Sequence, residues 1–236
     1  MKKFLKYGSI LLVILLIWDA NVTLPLRVFA SYVNQIGHLL IALLFSYSPG
    51  EDILINISQP TYEIVNQRSF LSAFLIANAG YIASLTFMMF AISLKSSIIK
   101  TYATSMFAIS FLLLAYVYSG ISEHLLYAGI LAIVALVLQM VNKDNFYNYT
   151  LNVLGLSSLA FIIYDLIFSS LSYSYRLGFG NFQSGIPYSG AIQLETLTGL
   201  PLIVWVLIWS IITFVCCILL VMERPTEETE EEAAEE

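Results

Sequence analysis

Residues 28–50, VFASYVNQIGHLLIALLFSYSPG, run without a charged side chain. A helix needs about 20 mostly apolar residues to cross about 30 Å of hydrocarbon. The stretch therefore reads as a membrane span, and the chain around it reads the same way. Uncharged runs of spanning length recur at 69–94, 101–122, 124–142, 145–164 (continuing past Asp165) and 196–222, so six spans are expected. An earlier apolar segment, 7–18, holds 12 residues between Lys6 and Asp19. At 1.5 Å per residue it makes about 18 Å of helix. It either crosses as a seventh span, with Lys2, Lys3 and Lys6 snorkelling, or lies in the interface. Its basic start followed by an apolar run resembles a signal peptide. No small-x-small cleavage site follows, so it reads as a retained anchor.

Composition agrees. The 236 residues are 59% hydrophobic and 11% charged, with a mean hydropathy of +0.83, whereas soluble domains carry about 25% charged residues. A water-soluble globule is excluded. The net charge of −6 is unevenly placed: residues 223–236 contain eight Glu and one Arg, or −7, and the other 222 residues carry nine basic and eight acidic groups, or +1. Residues 1–222 read as one transmembrane domain and 223–236 as a disordered acidic tail. The expected partner is the lipid bilayer. No charge pattern calls for nucleic acid. If all seven segments cross, Lys2, Lys3, Lys6, Arg68 and Arg176 face one side and Arg27, Lys95, Lys100, Lys143 and Arg224 the other. That even split gives the positive-inside rule nothing to act on.

One stretch leaves the helical pattern. In residues 51–66, EDILINISQPTYEIVN, apolar groups fall two apart at Ile53, Ile55 and Ile57, and again at Tyr62 and Ile64, with Gln59-Pro60 between. This predicts a short β-hairpin between two apolar helices. It serves either as an interhelical loop or as an edge that pairs with an extended peptide. Residues 175–194, with four glycines and Pro187, read as a second long loop.

Polar groups inside apolar helices are costly and need a partner or a purpose. The densest set is Asn34, Gln35 and His38. Positions 34 and 38 share a helix face. The spacing is that of HExxH, in which two His hold zinc and the Glu activates its water. Asn34 stands at the first His and Gln35 at the Glu.

The surroundings carry a resemblance. Trp18-Asp19, Leu24-Pro25-Leu26-Arg27 and then NQIGHLLIALL closely resemble the site-2-protease-like family of intramembrane zinc metallopeptidases, in a branch where a WN…PLR-type approach leads into HELGHALAALL. Asn78-Ala79-Gly80-Tyr81-Ile82 is similar to that branch's AGYLG segment. Ser189-Gly190-Ala191, then Leu197-Thr198-Gly199-Leu200-Pro201 and Val204-Trp205 through Trp209, resemble its SDA, LTGIP and WGxLW. The resemblance covers most of residues 18–215. It implies a site-2-protease-like fold, with the His38 helix packed on residues 69–94 and on the Asp165 helix.

The departures from the family pattern bear on function. A neutral amide at 34 is a poor zinc ligand. Gln35 has no titratable group, and losing a general base alone costs roughly 10²–10⁴-fold. Gly190 stands at the Asp of SDA. The leading expectation is thus a catalytically inactive relative, a pseudoprotease with no cofactor, which binds a transmembrane or extended segment of a membrane partner. The alternatives are a zinc metallopeptidase whose motif has been altered at 34 and 35, and a transport or channel subunit. A different metal set, His38 with Asp165 and Glu195, requires their helices to converge; otherwise Asp165 pairs with a tyrosine or a basic group and Glu195 faces a helix N-terminus. His124 is expected at a membrane boundary. Adjacent Cys216 and Cys217 do not suit a disulfide and are expected as packed thiols.

Overall fold

A computed structural model of the chain describes residues 2–48, 51–56, 61–93, 144–169 and 190–222, with isolated positions 102 and 137. The described helices are α1 (Lys2–Leu16), α2 (Leu24–Leu44), α3 (Phe70–Ser93), α4 (Asp144–Tyr164), α5 (Gly190–Thr198) and α6 (Leu202–Met222). Among the described residues, four stretches are long and apolar enough to cross a membrane: Leu26–Leu44, Phe70–Ser93, Tyr149–Ile167 and Leu202–Leu220. The expected spans at 101–122 and 124–142, the tail 223–236 and His124 lie outside the described residues. The apolar part of α1, Leu5–Leu16, is shorter than a span.

Each helix starts and stops for a local reason. Before α2 the chain folds over in a tight turn, Asn21–Thr23, where the Thr23 hydroxyl donates to the carbonyls of Trp18 and Ala20 at 2.7 Å. A proline in the first turn of α2 supplies a preset φ where no N–H is needed. The run expected as one helix over 196–222 is two. Gly199, at φ +71°, and Pro201 separate α5 from α6, since neither conformation continues a helix. Glu195 therefore sits in α5 and not at the head of the last helix, and residues 190–194 of the expected loop are helical.

Two short strands follow α2, β1 (Ile53–Asn56) and β2 (Thr61–Ile64), antiparallel with Ile53 opposite Ile64 and Asn56 opposite Thr61. Residues 57–60 between them lie outside the described residues. Ile53 is fully buried with Ala42, Tyr47 and Ile76, which fastens the strand pair to the ends of α2 and α3.

α3 is the central element, in contact with α2, α4, α5 and α6. Small residues let its neighbours approach, as in other membrane helix pairs. A Cβ on Gly37 would strike the Ala79 carbonyl and lie 2.6 Å from the Ala83 Cβ, and one on Gly155 would lie 2.9 Å from the Ala91 Cβ. α2 and α4 run antiparallel to α3, and α6 runs parallel to it. Phe29 of α2 meets Phe87, and His38 meets Ile76. Gly155 of α4 meets Ala91, and Asp165, in the π-helical turn Asp165–Ser169 that continues it, meets Tyr81. On α6, Trp205 meets Phe74 and Trp209 meets Tyr81. The outer side of α6 exposes Ile203, Leu207, Ile211 and Phe214, a face suited to acyl chains.

Candidate functional site

α2 buries three polar side chains in succession, with exposures of 6% for Asn34, 3% for Gln35 and 2% for His38. Across the α2–α3 seam, His38 Nδ1 lies 2.6 Å from the carbonyl oxygen of Ile76, and Nε2 lies 3.2 Å from Asn34 Oδ1. A carbonyl only accepts, so Nδ1 carries a proton and donates. In a neutral ring Nε2 then accepts. Satisfying it turns the Asn34 amide so that its NH2 faces the ring, an exchange of O and N that leaves the atomic positions in place. Gly80 of α3 makes the room. A Cβ there would lie 2.6 Å from Asn34 Nδ2 and run into the His38 ring.

Gln35 is placed differently. Among the described residues neither atom of its carboxamide has a hydrogen-bond partner, and the same is true of the Ser31 hydroxyl one turn earlier. An unpaired buried polar group costs about 1–3 kcal/mol.

One residue beyond Gly80, Tyr81 ties three helices together. Its hydroxyl donates to Asp165 Oδ2 at 2.6 Å and accepts from the Ala191 backbone N–H at 3.0 Å. Gly190 allows that approach, since a Cβ on it would lie 2.7 Å from the Ala77 carbonyl oxygen. The Tyr81 ring packs on Trp209 at 4.9 Å, and the Trp209 indole donates to Asn78 Oδ1 at 3.2 Å. The Glu195 carboxylate accepts from the Leu202 N–H at 3.2 Å, at the head of α6. Thr198 Oγ1 accepts from the Trp205 indole at 3.1 Å. The segments 34–38, 78–82, 190–191 and 195–209, separate in sequence, thus meet around the middle of α3.

At the strand end of the molecule a second polar group closes the loop. Asp52, buried at 8% exposure, accepts from the Ser48 N–H at 2.8 Å and from Arg68 Nη2 at 2.7 Å, with Asn66 at 3.2 Å. The Ser48 N–H, then the Arg68 guanidinium, hold its carboxyl below the usual carboxylate range. Arg68 also lies over the Tyr47 ring at 5.2 Å and donates its N–H to the Tyr47 hydroxyl at 3.0 Å.

Zinc sites take three or four thiolate, imidazole or carboxylate ligands. Among the described residues no group of three or more His, Cys, Asp or Glu side chains is assembled. His38, Asp165 and Glu195, considered above as one set, are separate: the first faces Ile76 and Asn34, the second Tyr81, the third the α6 N-terminus. Among the described residues, the side chain hydrogen-bonded to His38 is the neutral amide of Asn34, which is a poor zinc ligand. Cys216 and Cys217 are half-buried free thiols. The alternative in which Asp165 pairs with a tyrosine holds, with Tyr81 as that tyrosine, whereas the Ala191 N–H on Tyr81 and the Asp52–Arg68 pair were not foreseen from the sequence. The first had a signal, because a tyrosine hydroxyl within an apolar run needs a partner.

No curated protein and no solved structure matches the chain. Residues 7–220, from α1 to the last turn of α6, match the Peptidase M50B-like family. With four helices of spanning length in the same stretch, the chain is an integral, multi-pass membrane protein and belongs to the Peptidase M50B-like family.

Proposed function

We propose that this protein is a non-proteolytic member of its family, which uses the α2–α3 seam and the adjoining strands to hold an extended or transmembrane segment of a membrane partner. The observation that carries the reading is the occupation of His38. Its two ring nitrogens face the Ile76 carbonyl and the Asn34 amide, and Gln35, beside them, cannot take a proton from water. Hydrogen bonding replaces metal chemistry at this position.

The unpartnered groups on α2 support a peptide as occupant. Ser31 and Gln35 are four residues apart, about 6 Å along the helix. Alternate residues of an extended chain repeat every ~6.6 Å. Both side chains are buried, so a strand laid along α2 reaches the Ser31 hydroxyl and the Gln35 amide with successive backbone groups only once the residues covering them move aside, and the amide then offers both a donor and an acceptor.

The test is metal content together with cleavage. Purified from zinc-supplemented cells, the protein is expected to hold far less than one zinc per chain, with no difference in the His38→Ala variant and no cleavage of transmembrane model substrates. Stoichiometric zinc that disappears in His38→Ala, or cleavage that depends on His38, overturns the proposal.

A further inference from the structure

A cavity of about 210 Å³ lies between α1, α3, α4 and α6, away from the His38 cluster. Tyr7, Gly8, Met88, Leu156, Phe214 and Cys217 are among its walls, which are almost wholly apolar. It exceeds the roughly 150 Å³ of an engineered apolar cavity that stays dry and takes up benzene. Gly8 leaves it open on the α1 side, because a Cβ there would meet nothing within 4 Å.

The rim is charged. Lys6 precedes the wall residues Tyr7 and Gly8, and its ammonium lies over the Tyr149 ring of α4 at 4.6 Å and near the Tyr7 ring at 5.9 Å. A cation–π contact uses one side of the ammonium and leaves N–H donors for an outer ligand. Lys2 and Lys3 belong to the same end of α1. An apolar slot between helices, with a cation one residue from its wall, matches a molecule that has an acyl chain beneath an anionic head.

We propose that this cavity binds one acyl chain of an anionic bilayer phospholipid, with its phosphate on Lys6. The bilayer supplies that lipid directly, and basic residues near a membrane surface favour anionic lipids by about 1 kcal/mol each. Tyr7 walls the chain while its neighbour Lys6 holds the head, so a single turn of α1 reads both parts of the ligand.

The test offers the full-length protein in mild detergent equimolar phosphatidylglycerol and phosphatidylcholine with identical chains, and counts retained lipid by native mass spectrometry. Expected is one phosphatidylglycerol per chain, favoured about fivefold, the ratio that 1 kcal/mol gives. Lys6→Gln should bring the ratio close to one. Gly8→Leu, which sends a side chain into the open space, should remove the retained lipid of either kind with the unfolding temperature unchanged. Equal retention of the two lipids overturns the proposal. So does a phosphatidylglycerol preference that survives in both variants, which marks annular lipid only. So does absence of any retained lipid with a lowered unfolding temperature in Gly8→Leu, which marks a cavity filled by the chain itself. Lys6 is exposed, so Lys6→Gln still decides if Gly8→Leu does not fold.

Discussion

Two residues of the seam, Gly80 and Gln35, respond to substitution in opposite directions. Gly80→Ala places a methyl group 2.6 Å from Asn34 Nδ2 and against the His38 ring. Both neighbours are fixed by hydrogen bonds, so the clash is relieved only by moving helices apart. A loss of about 1–3 kcal/mol is expected, the usual cost of overpacking. Gln35→Leu removes two buried polar atoms that have no partner among the described residues. The isolated protein should gain about 1 kcal/mol, against the common direction for core substitutions. Unfolding followed in detergent by a thermal shift of the two variants checks both. A Gln35→Leu protein that unfolds earlier than the parent would mean that the amide is satisfied after all. The polar residues of this site were legible in the sequence, because Asn34, Gln35 and His38 interrupt an apolar run. Their partners were not. The Ile76 acceptor is a backbone carbonyl with no signature, and Gly80 acts through what it lacks.

The elements divide in the same way. The runs at 28–50, 69–94 and 145–164 correspond to α2, α3 and α4 because long apolar stretches have few alternatives in a bilayer. The α5–α6 break went unread although Gly199 and Pro201 stand in plain view, since the hydropathy on either side is continuous. Joints between elements, made by single polar atoms, are invisible to such patterns. Tyr81→Phe tests one of them. It leaves the Ala191 N–H and the Asp165 carboxylate each without the Tyr81 oxygen. A destabilisation of about 1–3 kcal/mol is expected, with the Trp209 contact retained. Fluorescence of the tryptophans during unfolding would report it. The Asp52 joint predicts a pH effect. Its carboxyl is held below the ordinary value of about 3.9. The stabilisation is therefore complete above that value and is lost as pH falls through the lower, folded one. Between pH 6 and pH 3 the unfolding temperature of the parent should drop toward that of Asp52→Asn, whose own value should change less. Parallel curves for the two proteins would assign the acid sensitivity to other groups.

At the scale of the molecule, the described helices share one end with the basic start of α1. Tyr7 and Gly8 of α1 line the same cavity as Met88 and Ile92 near the end of α3, so Lys2, Lys3 and Lys6 join the end where α3 and α6 finish and α2 and α4 begin. Arg27, at the start of α2, belongs to that end as well, and Arg68, just before α3, to the other. Four against one among the described residues is a bias from which the positive-inside rule predicts that this end faces the cytoplasm. In a variant without Cys216 and Cys217, a cysteine at exposed Val65 should react with a membrane-impermeant maleimide from outside intact cells. One at Thr229 should react only after permeabilisation. The reverse pattern would invert the orientation. The parallel course of α3 and α6 then has a consequence for any partner. The paired strands precede α3 at one end, and Met222 closes α6 at the opposite end. The eight Glu that follow Met222 in sequence are costly in hydrocarbon, so they are expected in the compartment opposite the strand edge. A soluble protein can engage one or the other, and only a partner that itself crosses the bilayer can engage both at once.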